Sequence, residues 1–189
     1  MTILLLACTL AICTLAQVPS DVPRFEDFPA MEVFRRAPAQ PILTTSEERL
    51  YRTVIRRGVS RGWGAEDGTT GKELAAPGPN FAGHYVIVRW GCGSPCLMAA
   101  IVDLRTGRVF PPPFHHGPGH SHFQVPWNWP TEPPLVYRLD SRLLIANICE
   151  TDRVVRVNDR PGYESQRCGE HYFVISDNGL RLIHNISEK

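Results

Sequence analysis

The chain of 189 residues carries 20 basic and 19 acidic side chains, so its formal net charge is +1. Hydrophobic residues make up 43% and charged residues 21%, which is typical of a soluble globular domain with a core. This balance excludes a disordered tail, a polytopic membrane protein and a broadly electrostatic nucleic-acid binder.

The first segment reads MTILLLACTLAICTLA over residues 1–16 and has no charged side chain. It is shorter than the roughly 20 apolar residues that cross a bilayer. It ends at Ala16 in small residues that a signal peptidase reads. We interpret residues 1–16 as a secretory signal peptide, which places the protein in the periplasm or outside the cell with no transmembrane segment after cleavage. A misassigned start codon or a short buried strand is the alternative.

Residues 17–43 contain five prolines among mixed charges. This composition predicts an extended arm that either lies over the domain or trails from it. We expect a single β-rich domain to occupy residues 44–189.

One helix is predicted at the start of that domain. Two overlapping capping boxes precede it, one joining Thr44 to Glu47 and one joining Thr45 to Glu48. A narrow apolar stripe follows, and Gly58 is expected to end the helix. The stripe consists of Leu50, Tyr51, Val54 and Ile55.

The rest of the chain reads as strands and turns, and its clearest hairpin flanks Asn178-Gly179. Because Asn-Gly is the strongest short hairpin signal, we expect these two residues to form the turn. That turn places Ile175 opposite Leu182 and Val174 opposite Ile183. The predicted fold is mainly β, an antiparallel meander of about six or seven strands with one amino-terminal helix, stapled by disulfides.

Four cysteines remain once the signal peptide is removed. Four cysteines in an exported chain indicate disulfides, and three pairings are open. We favour pairing the nearest neighbours along the chain, although crossed pairs would constrain more of it. The favoured bridges are Cys92–Cys96 and Cys149–Cys168.

The favoured Cys92–Cys96 bridge lies in a Gly/Pro turn between two predicted strands, and we expect Trp90 to pack beside it. The alternative is a reduced C-x3-C pair that binds Cu(I) or shuttles as a dithiol.

A histidine cluster and two tryptophans follow in a Pro-rich stretch. The histidines are His115, His116, His120 and His122, and imidazole is a good ligand for Zn or Cu. Their spacing fits no defined motif, so we expect no cofactor, with a Zn or Cu site as the alternative. Trp127 and Trp129 form the proposed binding surface, and a lid over the sheet is their alternative role.

Three short segments of the chain resemble a known pattern: WGCGSPC at 90–96, IVD at 101–103 and TGRV at 106–109. They resemble uncharacterised small exported bacterial proteins that share a WGCGxxC turn and a D-x-x-T-G-x-V hairpin. The resemblance covers about residues 79–110 and implies export and this hairpin architecture. It transfers no catalytic residue.

These observations together predict a secreted or periplasmic, non-catalytic binding or envelope protein that uses residues 114–129. Its partner would be a protein, glycan or small ligand of the envelope, not a nucleic acid. The alternative is a metal-binding protein, or a thiol- or metal-dependent enzyme that uses the histidine cluster or Cys92 and Cys96. A purely structural envelope protein is the third interpretation.

Overall fold

The computed structural model describes residues 21–61, 77–93, 96–112, 122–124, 133–157 and 160–187. A short 3-10 turn at Phe25–Asp27 precedes two helices, α1 (Ser46–Leu50) and α2 (Arg52–Arg61). Eight strands follow within the described residues, which confirms the mainly β fold. They are β1 (Tyr85–Gly93), β2 (Cys96–Asp103), β3 (Val109–Phe110), β4 (His122–Gln124), β5 (Leu135–Tyr137), β6 (Leu143–Val157), β7 (Arg160–Ser176) and β8 (Gly179–Ser187).

The strands pair antiparallel in the order β1-β2-β4-β6-β7-β8. The predicted simple meander is not exact, because β3 pairs with β2 and β5 pairs with β6 outside this path. β4 bridges β2 to β6 with only three residues, embedded in a Pro- and His-rich sequence. Such a short strand leaves no alternating apolar pattern to detect.

The prediction of one helix is also inexact, because Tyr51 interrupts the helical segment. Its backbone (φ −95°, ψ 17°) ends α1, and α2 starts at the next residue. Of the two predicted capping boxes, the Thr45–Glu48 box forms. The Glu48 N–H donates to Thr45 Oγ1 at 3.1 Å, and the Thr45 N–H donates to Glu48 Oε2 at 3.0 Å.

Gly58 does not end the helix as predicted, since α2 continues to Arg61. A Cβ atom at position 58 would lie 2.5 Å from Cγ2 of Val88 in β1. The glycine therefore allows α2 to lie directly against the sheet, and its role is close packing and not helix termination.

The core has an inner layer between the two halves of the sheet and one layer on each outer face. Side chains alternate along each strand, so Tyr85 and Ile87 of β1 belong to the inner cluster with Leu144 of β6 and Phe173 of β7. On β1, Val86 and Val88 point to the opposite face. Because both faces are covered, these strands read as continuous apolar runs.

The outer faces are covered by α2 and by the amino-terminal arm. Ile55 and Val59 of α2 pack on β1 and β2, together with Phe34 and Leu43 of the arm. On the other outer face, three further arm residues pack against β6, β7 and β8, namely Val22, Phe25 and Phe28. The described part of the arm, residues 21–43, therefore lies over the domain.

The predicted register of the last hairpin is wrong by two residues. Ser176 pairs with Gly179 and Ile175 pairs with Leu180, so Asp177 and Asn178 form the turn. Val174 consequently lies opposite Arg181, not Ile183. Gly179 has a φ of 103°, whereas the two turn residues have no positive φ. This geometry is that of an ordinary turn followed by a glycine bulge, which the same sequence also permits.

Candidate functional site

The four cysteines of the described residues form two disulfides within the sheet. Cys92–Cys96 closes the tip of the β1–β2 hairpin, and Cys149–Cys168 joins two directly opposed residues of β6 and β7. The prediction of disulfide bonds is confirmed. In the register, Cys96 pairs with Gln124, and Gln124 pairs with Cys149. The two bridges therefore lie in one row across four strands, separated by a single residue.

The sites predicted on the histidine cluster and on the tryptophans fall mostly outside the described residues. This applies to His115, His116, His120, Trp127 and Trp129. His122 begins β4 and pairs with Met98 of β2, close to the first disulfide. Within the ranges that the structure describes, no group of three or more potential ligands is arranged to hold a metal ion. The metal and tryptophan sites thus stay predictions.

A cleft lies where the two helices meet β1 and β2. The space in it that can hold solvent is about 20 Å³, roughly enough for one water molecule, and it opens to the surface. Trp90 and Tyr51 form its aromatic wall, with ring centroids 5.1 Å apart and ring planes tilted by 42°. Glu47, Glu48 and Pro111 line the rest of its rim. The helix interruption at Tyr51 and the alternation of β1 thus bring two aromatic rings together from distant parts of the chain.

The indole of Trp90, a residue that lines the cleft, has an unsatisfied donor. Its Nε1 is buried and makes no hydrogen bond in the described structure. The neighbouring carboxylate of Glu48 is occupied, because it accepts hydrogen bonds from the backbone N–H groups of Thr44 and Thr45. A buried donor without an acceptor costs about 1–3 kcal/mol. An unpaired donor beside a cleft therefore marks a place where an acceptor atom of a ligand would be stabilising.

A second polar cluster lies at the opposite end of β1. His84 Nε2 is buried without a hydrogen bond in the described residues, 4.0 Å from Oδ1 of the buried Asp103. Asp103 accepts hydrogen bonds from the Arg105 N–H and from Thr106 Oγ1, both at 2.9 Å. Burial lowers the pKa of His84; the Arg105 charge adds to this and the Asp103 charge opposes it. Because the turn already uses the carboxylate, this cluster ties the fold together and is the weaker candidate site.

The cleft was not predicted from the sequence. The apolar stripe predicts only a helical position for Tyr51, and the turn sequence predicts only that Trp90 packs beside the Cys92–Cys96 bridge. One signal was present: a tryptophan, which carries a hydrogen-bond donor, ends an otherwise apolar run in HYVIVRW. Its pairing with Tyr51 depends on how α1 and α2 meet, which no local pattern specifies.

Comparison of the chain with protein-family models, with curated proteins and with solved structures finds no match. Across the described ranges, no helix has the length and apolar character needed to cross a membrane. The function must therefore be argued from the site itself.

Proposed function

We propose that this chain is an exported, non-catalytic binding protein whose ligand occupies the cleft between Trp90 and Tyr51. The observation that carries the proposal is the buried indole N–H of Trp90, which lacks an acceptor beside an open cleft. Sites with an apolar wall and a few oriented polar groups are typical of small-molecule recognition. The ligand that fits is small and presents a carbonyl or hydroxyl oxygen to the indole.

The proposed binding face also includes the predicted loop at residues 114–129. Pro111, at the rim of the cleft, precedes this loop by a few residues. His122, which lies within the loop sequence, pairs with Met98 on the strand that forms the floor of the cleft. The described residues that border the loop thus include one that lines the cleft and one on the strand next to β2.

Export is supported by the two disulfides, which persist in oxidising compartments and are rare in the cytosol. The periplasm or the extracellular medium is the proposed location. Mass spectrometry of the protein from cell fractions tests this. We expect a mature form in the envelope fraction without residues 1–16 and without free thiols. Two free thiols at Cys92 and Cys96 would instead favour the thiol-based alternative.

Ligand binding is tested by NMR with N-methylacetamide, a small neutral amide that carries one carbonyl acceptor. The indole N–H resonance of Trp90 is assigned by its loss in Trp90→Phe, which keeps an aromatic ring and removes the donor. We expect this resonance to shift downfield and saturate during the titration, while the resonances of the other tryptophans move less. Equal movement of all four indole resonances would contradict a specific site, as would no movement of the Trp90 resonance.

A further inference from the structure

The inner face of β1 carries a charged residue where the pattern calls for an apolar one. Tyr85 and Ile87 belong to the inner cluster, while Val86 and Val88 belong to the outer one. Arg89 continues the inner row, since side chains alternate along a strand. It is directly followed by Trp90, so neighbouring residues of β1 present a cation inward and an indole outward.

The guanidinium of Arg89 lies over an aromatic ring of the other half of the sheet. Its central carbon is 5.8 Å from the ring centroid of Tyr137 in β5. Tyr137 packs against the inner cluster and contacts Phe81 edge-on, with ring centroids 6.0 Å apart. The cation is therefore partly buried between two layers of the protein.

Within the part of the chain that the structure describes, Arg89 has no anionic partner. Its guanidinium makes no hydrogen bond or ion pair within the described residues, and the hydroxyl of Tyr137 makes no hydrogen bond there either. Two arginines that are more exposed are paired. Arg105 contacts Asp103 and Asp177, and Arg138 contacts Glu26 and Asp140.

Arg89 is only partly buried, and its guanidinium donors are available to an anion because no acceptor within the described residues uses them. Burial also raises the pKa of Tyr137, against the opposing effect of Arg89, so the phenol stays protonated at neutral pH. The guanidinium of Arg89 presents only hydrogen-bond donors and the protonated hydroxyl of Tyr137 can donate one hydrogen bond, and neither group has an acceptor within the described residues. A planar carboxylate matches this set, because it accepts from the guanidinium fork and from a hydroxyl at the same time.

From this geometry we infer that Arg89 and Tyr137 form a second binding site, which takes a small organic carboxylate with an apolar body. The apolar body follows from the inner cluster beside Tyr137, which consists of hydrophobic side chains. This site lies on the face of β1 opposite the Trp90 cleft. It rests on different residues and does not depend on the function proposed for that cleft.

The test compares benzoate with its neutral isostere benzamide and with inorganic phosphate, by thermal unfolding and by titration calorimetry. We expect benzoate to raise the melting temperature and to bind, whereas benzamide does neither. Arg89→Met should abolish binding. Arg181→Met, which removes an exposed charge from β8, should retain it. Tyr137→Phe should weaken binding about tenfold through loss of one hydrogen bond to a charged group.

A measurement without ligand separates a binding role from a structural one. If Arg89 exists to bind an anion, Arg89→Met removes an uncompensated charge, and the melting temperature should stay the same or rise. A lowered melting temperature would make Arg89 a packing residue and overturn the inference. Equal benzoate effects on the wild type and Arg89→Met would also overturn it, as would a larger effect of phosphate than of benzoate. Trp90→Phe should leave the benzoate response unchanged, so this site can fail or succeed independently of the cleft.

Discussion

Replacement of Gly58 by alanine tests whether α2 is held against β1 by close approach. The added Cβ would lie 2.5 Å from Cγ2 and 2.8 Å from Cγ1 of Val88, which is fully buried. Carbon atoms in contact normally lie about 3.5–4.0 Å apart. The helix and strand must therefore separate by about 1 Å, because a buried β-branched side chain has no alternative rotamer to adopt.

Two opposing contributions set the size of the effect. Alanine gains about 1 kcal/mol over glycine inside a helix. Overpacking costs about 1–3 kcal/mol, and this contact is at the upper end because it involves both methyl groups of Val88. The net expectation is that Gly58→Ala lowers the free energy of unfolding by about 2 kcal/mol.

Urea unfolding at constant m-value measures this change. Gly91→Ala is the matched control, because no atom lies within 4 Å of a Cβ at that position. In a Val88→Ala background, where the clashing methyl groups are absent, Gly58→Ala should cost nothing or stabilise. If the two substitutions are additive, the contact between α2 and β1 is not what requires a glycine, and the reasoning is refuted.

Three further predictions concern the arm, the buried histidine and the disulfides. Ser141 Oγ donates to the carbonyl oxygen atoms of Phe25 and Phe28 of the arm, at 2.8 and 3.0 Å, and accepts from a backbone N–H. Ser141→Ala should therefore lower the free energy of unfolding by about 1–3 kcal/mol and speed proteolysis of the arm. Unchanged cleavage of the arm would contradict this. The pKa of His84 is lowered from its ordinary value of 6.5, so the unfolded chain binds the proton first as the pH falls. Stability should consequently decline below about pH 6.5, and the decline between pH 7.5 and 5 should be smaller in His84→Gln, as judged by urea midpoints. Loss of the Cys149–Cys168 bridge by double alanine substitution should lower the free energy of unfolding by about 3 kcal/mol. A change near zero in the same urea assay would show that the paired strands need no covalent constraint.

Local chemistry was enough to predict the parts of the fold that depend on near neighbours. The β character of the chain follows from its apolar runs, and both disulfides join cysteines that are close along the chain. The capping box at Thr45 and Glu48 is likewise a contact between residues three positions apart.

The errors arose where a distant contact decides between locally equivalent options. The sequence around Gly58 predicts a helix end, whereas in the structure Val88 leaves no room for a Cβ atom at position 58. The turn beside Gly179 permits two registers, and the structure selects the one with Ile175 opposite Leu180. Neither candidate site follows from a sequence pattern, because each depends on tertiary placement. This holds for the paired rings of Trp90 and Tyr51 and for the unpaired charge of Arg89.

The arm has a consequence for the order in which the protein assembles. Its residues pack on both outer faces of the sheet, with Val22 and Phe28 against β6–β8 and Phe34 against β1 and β2. Translation produces this segment before any strand, yet the face that receives Val22 and Phe28 includes Ile183 of the last strand. That half of the arm therefore stays uncovered until β8 has been made.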